Sequence, residues 1–579
     1  VCGITGIVGP SGSRERIEAM TERLRHRGPD DGGIFEAPGI FLGHRRLSII
    51  DLSSGGHQPM TLGDLTLVYN GEIYNYRELR RELGGPFLSE SDTEVLLRLY
   101  ARDGARCVER LHGMFAFAIW DARRRTLFAA RDRLGIKPFF YAELPDGIAF
   151  ASEPKALLAL GPHSPDPAAV VDFLTYKYVP APRTAWKGIA TLLPAHTLSW
   201  NGGMQLHRYW EPDASVTRRD EAAALEEFSG LLRDAVVSHT VADTPVGVFL
   251  SGGLDSTSLV AHLDAPQTFT VGFDTGERED AAFARLVASH FGTRHHEETV
   301  AAPDLEKALE AIPDLYDGPF GDSSSWATFI VSQASRRHVK VALSGEGGDE
   351  LLSGYGRYGR FLAARPSSLA RFASRLLPPF SSSGRSLHRR GASGLALYEA
   401  LLSLFPLPQK RALLAPGLVP ADYDDLWALR RFWREDLEPA KQLQWLDLHA
   451  YLPDDLLVKV DRASMANSLE VRPPLLDHRL VEFALSLDPS LLRRNGQDKW
   501  ILRRALEGRV PQSVLTRSKQ GFSMPVRRWV AETPGLLDDA LRRLARAGLL
   551  RDGRRRRFGG EQLWSLLVLD RWSRHVGLV

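Results

Sequence analysis

Val248-Phe249-Leu250-Ser251-Gly252-Gly253-Leu254-Asp255-Ser256 is an apolar run that turns through Ser-Gly-Gly into a helical stretch. A strand, a glycine turn and a helix in that order can aim backbone N–H groups and the positive helix end at phosphate. No Gly-Lys-Ser/Thr follows, so the loop is not of the Walker A type. Outward from it strand and helix alternate, with strands at 247–250, 268–273 and 340–343 and helices at 255–263 and 280–291. That alternation predicts a parallel, doubly wound α/β sheet. Ser344-Gly345-Glu346-Gly347-Gly348-Asp349-Glu350 is a second loop between an apolar strand and a helix. Strand carboxyl ends of an open parallel sheet converge on one crevice, so the two loops are expected to face each other there. Carboxylates so closely spaced suit metal binding and base work. Beyond residue 351 the chain reads as mostly helical, and 364–394, rich in Ser, Pro, Arg and Gly, reads as a mobile loop or lid-like insertion.

The first 200 residues have a different grammar. Short strands at 3–8, 40–50, 65–70, 114–121, 126–131 and 139–142 are broken by Gly, Pro and Asp, with helical periodicity at 17–24, 76–83 and 93–103. This is an antiparallel α+β layer pattern. Cys2 stands at the head of the first strand. With Val1 removed, its thiol and a free α-amine would share one residue. An amine titrating near about 8 can take the proton of a thiol titrating near about 8.5. Val1 is expected to be a GTG start codon read literally, its removal exposing Cys2.

At 579 residues two separate cores are expected. A composition of 44% hydrophobic and 25% charged residues permits them and argues against global disorder. The charge of +2, from 73 basic and 71 acidic residues, argues against nucleic acid or a membrane surface as a partner of the whole molecule. The basic run 554–557 is expected to be a solvated face. Two cysteines, Cys2 and Cys107, exclude a disulfide framework and a paired-Cys zinc site; Cys107 matches no motif and is expected in the core. There is no leader pattern and no apolar run of about 18 residues, so a cytoplasmic enzyme is expected.

Ser-Gly-Gly-Leu-Asp-Ser resembles the pyrophosphate-binding loop of the ATP pyrophosphatase group, whose members transfer AMP to an acceptor. Taken together with further runs, the chain resembles the glutamine-dependent asparagine synthetase family along nearly its full length. In the first half the runs are Cys2-Gly3-Ile4, Arg25-His26-Arg27-Gly28-Pro29-Asp30, Arg46-Leu47-Ser48-Ile49, Asn70-Gly71-Glu72-Ile73-Tyr74-Asn75, Ser91-Asp92-Thr93-Glu94 and Arg131-Asp132-Arg133-Leu134-Gly135. In the second half, besides the two loops, they are Asp461-Arg462-Ala463-Ser464-Met465-Ala466, Ser468-Leu469-Glu470-Val471-Arg472-Pro473-Pro474 and Arg517-Ser518-Lys519-Gln520-Gly521-Phe522. The resemblance implies an N-terminal-nucleophile glutaminase, an αββα sandwich at 1–210, followed by an ATP-pyrophosphatase-type synthetase unit at 221–579 with a helical C-terminal region.

The resemblance also implies site roles. Cys2 is the nucleophile, with Asn70 side-chain and Gly71 backbone N–H groups as the oxyanion hole. Arg46 takes the glutamine α-carboxylate and Asp92 its α-ammonium, with Glu72 in the same network. Ser251, Gly253 and Ser256 contact pyrophosphate, while Leu250, Val271, Ser344 and Gly345 frame adenosine. Asp255 and Asp349 are the Mg2+ ligands and Glu346 an acid/base or orienting group. Lys519 is the first choice for the cation on the transferred phosphate, with Arg462, Lys499 and Lys459 as further candidates.

Three readings stay open at this point. The chain makes asparagine from aspartate, glutamine and ATP; it amidates another carboxylate, such as a sugar acid or natural-product intermediate; or it binds these ligands without turnover. The segment 317–326 is expected near the acceptor, with bulky Trp326 shaping its pocket. A homodimer is left open.

Overall fold

The computed structural model describes residues 2–273, 279–300, 304–378, 380–517, 526–533, 535–551 and 558–578. Lys519 and the basic run 554–557 therefore lie outside the described residues.

The first half builds two six-stranded antiparallel sheets. Its strands are β1 (Gly3–Val8), β2 (Asp31–Ala37), β3 (Ile40–Arg46), β4 (Met60–Leu62), β5 (Leu65–Ile73), β6 (Gly113–Asp121), β7 (Thr126–Arg131), β8 (Phe140–Leu144), β9 (Gly147–Ala151), β10 (Ala190–Thr191), β11 (His196–Trp200) and β12 (Met204–Arg208). One sheet has the order β10-β8-β9-β1-β3-β2, the other β12-β11-β7-β6-β5-β4.

Alternation along each strand sorts side chains between layers. On β6, Ala116, Ala118 and Trp120 enter the core shared by the two sheets, while Phe115, Phe117 and Ile119 point to the opposite face. That outer face is covered by the helices Tyr76–Leu83 and Asp92–Asp103, whose buried Leu79, Val95 and Leu99 join the same cluster. The other sheet packs Ile7 and Ala149 against Ile17, Met20 and Leu157 of the helices Arg14–Glu22 and Pro154–Leu158. The result is the four-layer αββα sandwich.

Stretches with no strand expectation also form strands, among them β2, β9 and the hairpin β11–β12. β2 opens Asp-Gly-Gly, which reads as a turn; its backbone pairs with β3 across seven residues, and the ladder overrides the local preference. Cys107 is fully buried in the core.

The second half carries a five-stranded all-parallel sheet. Its strands are β13 (Val246–Phe249), β14 (Gln267–Phe273), β15 (Arg294–Val300), β16 (Val341–Leu343) and β17 (Glu470–Arg472), in the order β15-β14-β13-β16-β17. The order reverses between β13 and β16, and the Ser251 and Ser344 loops leave their carboxyl ends at that switch point.

The stretch 364–394, expected as a mobile loop or lid-like insertion, is not a loop but carries a helical pair, Ser368–Arg375 and Ser382–Gly391, packed on one another. Arg371 Nε donates to Gly391 O at 2.8 Å, and the Ser367 N–H donates to Arg390 O at 2.9 Å. A Cβ on Gly391 would meet the Arg371 backbone at 2.5 Å, so the glycine that suggested a loop permits the helices to touch.

Candidate active sites

Cys2 lies immediately before β1, and its backbone N–H donates to Asn70 Oδ1 on β5 at 2.8 Å. Asn70 Nδ2 is buried with no hydrogen-bond partner among the described residues, a donor beside the thiol residue. A Cβ on the neighbouring Gly71 would meet Met114 O at 2.1 Å, so only glycine lets β5 approach β6 here. Burial pushes the Cys2 thiol up, while a backbone hydrogen bond from Leu47 and the Arg46 charge pull it down. The Cys2 carbonyl accepts from Arg27 Nε at 3.0 Å.

Arg46 is buried and spends its donors on backbone carbonyls: Ser53 O at 2.8 Å, Ile50 O at 3.3 Å and Asp51 O. Among the described residues no carboxylate forms an ion pair with it, so its charge remains available to an incoming carboxylate. Asp92 Oδ2 accepts from the Ile73 N–H at 3.1 Å and from Tyr69 Oη at 3.0 Å. Burial raises its pKa, and these two hydrogen bonds oppose the rise.

Glu72 is pushed well above the usual carboxyl range by burial and by the like charge of Glu470, with Arg472 opposing. Arg472, fully buried on β17, reaches across from the parallel sheet to Glu72 Oε1 at 3.5 Å and also pairs with Glu470. The same residue accepts the Ser344 N–H at its carbonyl (2.9 Å), so one strand links the Cys2 centre to the Ser344 loop. Neither Arg27 nor Arg472 was an expected site residue, although both stand inside runs that resemble the family. Their signal is a pair of domains that must share a buried face.

The Ser251 and Ser344 loops line a cavity of about 660 Å³. Leu250, Val271, Ser344 and Gly345 contribute to its wall, as do Ser251, Gly253 and Ser256. Gly252 has φ +69°, and a Cβ there would meet Ala284 N at 2.6 Å, so this turn requires glycine. Asp255 and Asp349 come together on one ammonium: Lys499 Nζ lies 2.5 Å from Asp255 Oδ2 and 2.7 Å from Asp349 Oδ1. Lys499 itself sits at φ +56°, just ahead of the helix Trp500–Leu506. Glu346 lines the same cavity and lies 3.4 Å from Lys459 Nζ.

Among the described residues Asp255 Oδ1 is buried without a hydrogen-bond partner, which leaves a hard oxygen for a cation. Among the described residues no cluster of three or more His, Cys, Asp or Glu side chains gathers as a metal site. Two carboxylates suffice for Mg2+, which keeps waters and substrate phosphates as its other ligands.

Two expected residues lie away from this cavity. Arg462, a candidate phosphate cation, is buried between domains, 2.7 Å from Glu153 and 3.4 Å from Asp317. Arg27, Lys137 and Asp461 extend this ion network, which neutralises charges that the interface takes out of water. Trp326 does not shape the cavity. It is buried on the helix Ser325–Arg336 and stacks on Phe329 at 4.9 Å, while its neighbours Ser323, Ser324 and Thr328 reach the cavity.

An asparagine synthase family model matches residues 227–574, and a glutamine amidotransferase domain model matches residues 1–210. The chain belongs to the asparagine synthetase family. It is 34% identical over 556 residues to asparagine synthetase [glutamine-hydrolyzing] 1 of Bacillus subtilis, covering 92% of this chain and 88% of that protein. A putative asparagine synthetase [glutamine-hydrolyzing] of Mycobacterium bovis is 37% identical over 571 residues, covering 92% of this chain and 87% of that one. The family extends to proteins of other description: amidase chry2 of Gibberella zeae is 28% identical over 620 residues, covering 91% and 90%. Among the described residues no helix is long and apolar enough to cross a membrane.

Proposed function

We propose that this chain is a glutamine-hydrolysing asparagine synthetase that joins a glutaminase unit, residues 1–210, to a synthetase unit, residues 221–579. The observation that carries the reading is the orphaned Asn70 Nδ2 beside Cys2 on the same chain as a cavity where Asp255, Asp349 and Lys499 converge.

In the first unit Cys2 sulfur attacks the side-chain amide carbon of glutamine, and the developing oxyanion takes hydrogen bonds from Asn70 Nδ2 and the Gly71 N–H. Arg46 and Asp92 hold the two charges of the α-carbon end. Ammonia leaves with the thiol proton, and water hydrolyses the thioester to glutamate. Base work by the Cys2 amine requires that Cys2 be the first residue of the working enzyme, because a peptide-bonded nitrogen accepts no proton.

In the second unit the acceptor carboxylate oxygen attacks the α-phosphorus of ATP and pyrophosphate leaves. Ammonia then attacks the acyl carbon and AMP leaves. Lys499 meets the phosphate charge, the role first assigned to Lys519. A bound Mg2+ would be held by Asp255 and Asp349 and would neutralise part of the triphosphate charge. Glu346 sits where it can orient the acceptor or take the proton of the attacking ammonia.

The test is to supply glutamine, ATP and Mg2+ with aspartate, and in parallel with uronic acids and other small carboxylates, and to quantify amide, AMP and pyrophosphate. Asparagine with stoichiometric AMP is the expected outcome. Turnover on another carboxylate without asparagine would replace aspartate as acceptor, and ADP with phosphate would overturn adenylation.

A further inference from the structure

One corner of the cavity is assembled from three distant parts of the chain. Lys177 follows the helix Pro167–Tyr176 at φ +73°. Its carbonyl accepts the Gly321 N–H at 2.7 Å, which fixes the segment carrying Asp322 and Ser323 beside it. Glu561 stands in the first turn of the helix Gly560–His575 and accepts from Ser323 Oγ at 3.0 Å. Lys177, Asp322, Ser323 and Glu561 all face the cavity. A lysine in the left-handed region is uncommon and indicates that the surroundings hold it there.

The charges in this corner are matched loosely. Lys177 Nζ is 3.8 Å from Glu561 Oε2, and Lys459 Nζ is 3.4 Å from Glu346 Oε1. Tight charge-assisted hydrogen bonds are about 2.7–2.9 Å. Each pair therefore keeps donors and lone pairs for a ligand inserted against it. Asp322 lies between, with Oδ1 tied to the Ser324 N–H at 2.8 Å and to Ser324 Oγ at 2.6 Å. Burial works against the charge of Lys177, and Asp322, Asp455 and Glu561 outweigh it, so the ammonium stays protonated. Two cation–anion couples in one corner suit a ligand that carries charges of both signs, and they penalise a simple acid, which would leave one partner unanswered.

We propose that Lys177 and Glu561 are the acceptor's specificity determinants, Lys177 taking its α-carboxylate and Glu561 its α-ammonium, while the Lys459–Glu346 couple addresses the carboxylate to be activated. The acceptor class is thus an α-amino acid with a side-chain carboxylate. This inference rests on the cavity being the adenylating site.

The test compares wild type, Lys177→Met, Lys177→Arg and Glu561→Gln on three acceptors: aspartate, β-alanine, which lacks the α-carboxylate, and succinate, which lacks the ammonium. Wild type should favour aspartate strongly over both. Lys177→Met should raise the KM for aspartate about tenfold or more and narrow the preference over β-alanine specifically, with Lys177→Arg restoring part of it. Glu561→Gln should narrow the preference over succinate specifically. Glutaminase kcat/KM and the KM for ATP should stay within about twofold, which controls for folding. Aspartate turnover in wild type with preferences unmoved by either variant would overturn the inference and leave the function standing. Wild type amidating only carboxylates without an α-amino group would overturn both.

Discussion

At the Cys2 centre the functional side chains are buried on or beside strands, and their polar atoms are tied to neighbouring backbone: Asn70 to the Cys2 N–H, Asp92 to the Ile73 N–H, Arg46 to three carbonyls. The second cavity is lined instead by loops whose Ser251 is exposed and whose Asp255, Glu346 and Asp349 are half-buried. In the proposed reaction the first centre holds one small zwitterion. In the same reaction the second admits a nucleotide and an acceptor together, and its charges answer one another across the space. The contrast teaches that one chain can place a rigid donor set on paired strands and an adaptable one at a switch point, with Arg472 bridging the two.

The sharpest way to break the contrast is Cys2→Ala. Glutamine-dependent synthesis should fall at least about 10³-fold, since the covalent route is lost, while ammonia-dependent synthesis should stay within about twofold. Amide yield with each nitrogen donor decides; equal loss with both would mean that the centres are not separate.

Asp255→Asn and Lys499→Met should act in the opposite sense, lowering AMP and pyrophosphate release about 10²-fold or more while sparing glutamine hydrolysis. Pyrophosphate and glutamate are measured on the same samples. Equal falls in the two products would contradict the assignment.

Arg472→Met tests the bridge. It removes the cation that Glu72 and Glu470 share together with its hydrogen bonds to His239 O and Val241 O, and breaking such a buried pair costs about 3–5 kcal/mol. Chemical denaturation should show a loss on that order, and an unchanged midpoint would show that the bridge carries no stability.

The smallest effect concerns Asp455, fully buried with both carboxylate oxygens unpartnered and its pKa pushed to about 8, by burial first and Asp322 second. Its folded pKa exceeds its unfolded one, so the folded state holds the extra proton. Stability is therefore present at low pH and lost as pH rises from about 4 through 8. Asp455→Asn should raise Tm relative to wild type by about 2 °C or more at pH 8.5 compared with pH 6. A difference independent of pH would place the group's titration elsewhere.

Most of the Cys2 centre was legible because its residues sit in short local runs, and period-two alternation alone separates Ala116 from Phe117. The helical pair at 364–394 was not, because Ser, Pro and Gly are read as turn formers locally and their close packing appears only when Gly391 meets Arg371. Lys499 was outranked by Lys519 for a similar reason. A lone lysine in a polar stretch has no local signature, and its role emerges only when Asp255 and Asp349, 244 and 150 residues away, close on it.

The sequence by itself determined the two architectures and the positions of the two loops at strand ends, because strand period, glycine placement and motif order are local properties of the chain. Only the tertiary structure decided which charges meet. It sent Arg462 and Trp326 into buried packing, brought Lys499 to the two aspartates, and gathered Lys177, Ser323 and Glu561 at one corner. The physical reason is that a charge's role depends on the partners and solvent that surround it, and these are set by segments hundreds of residues apart.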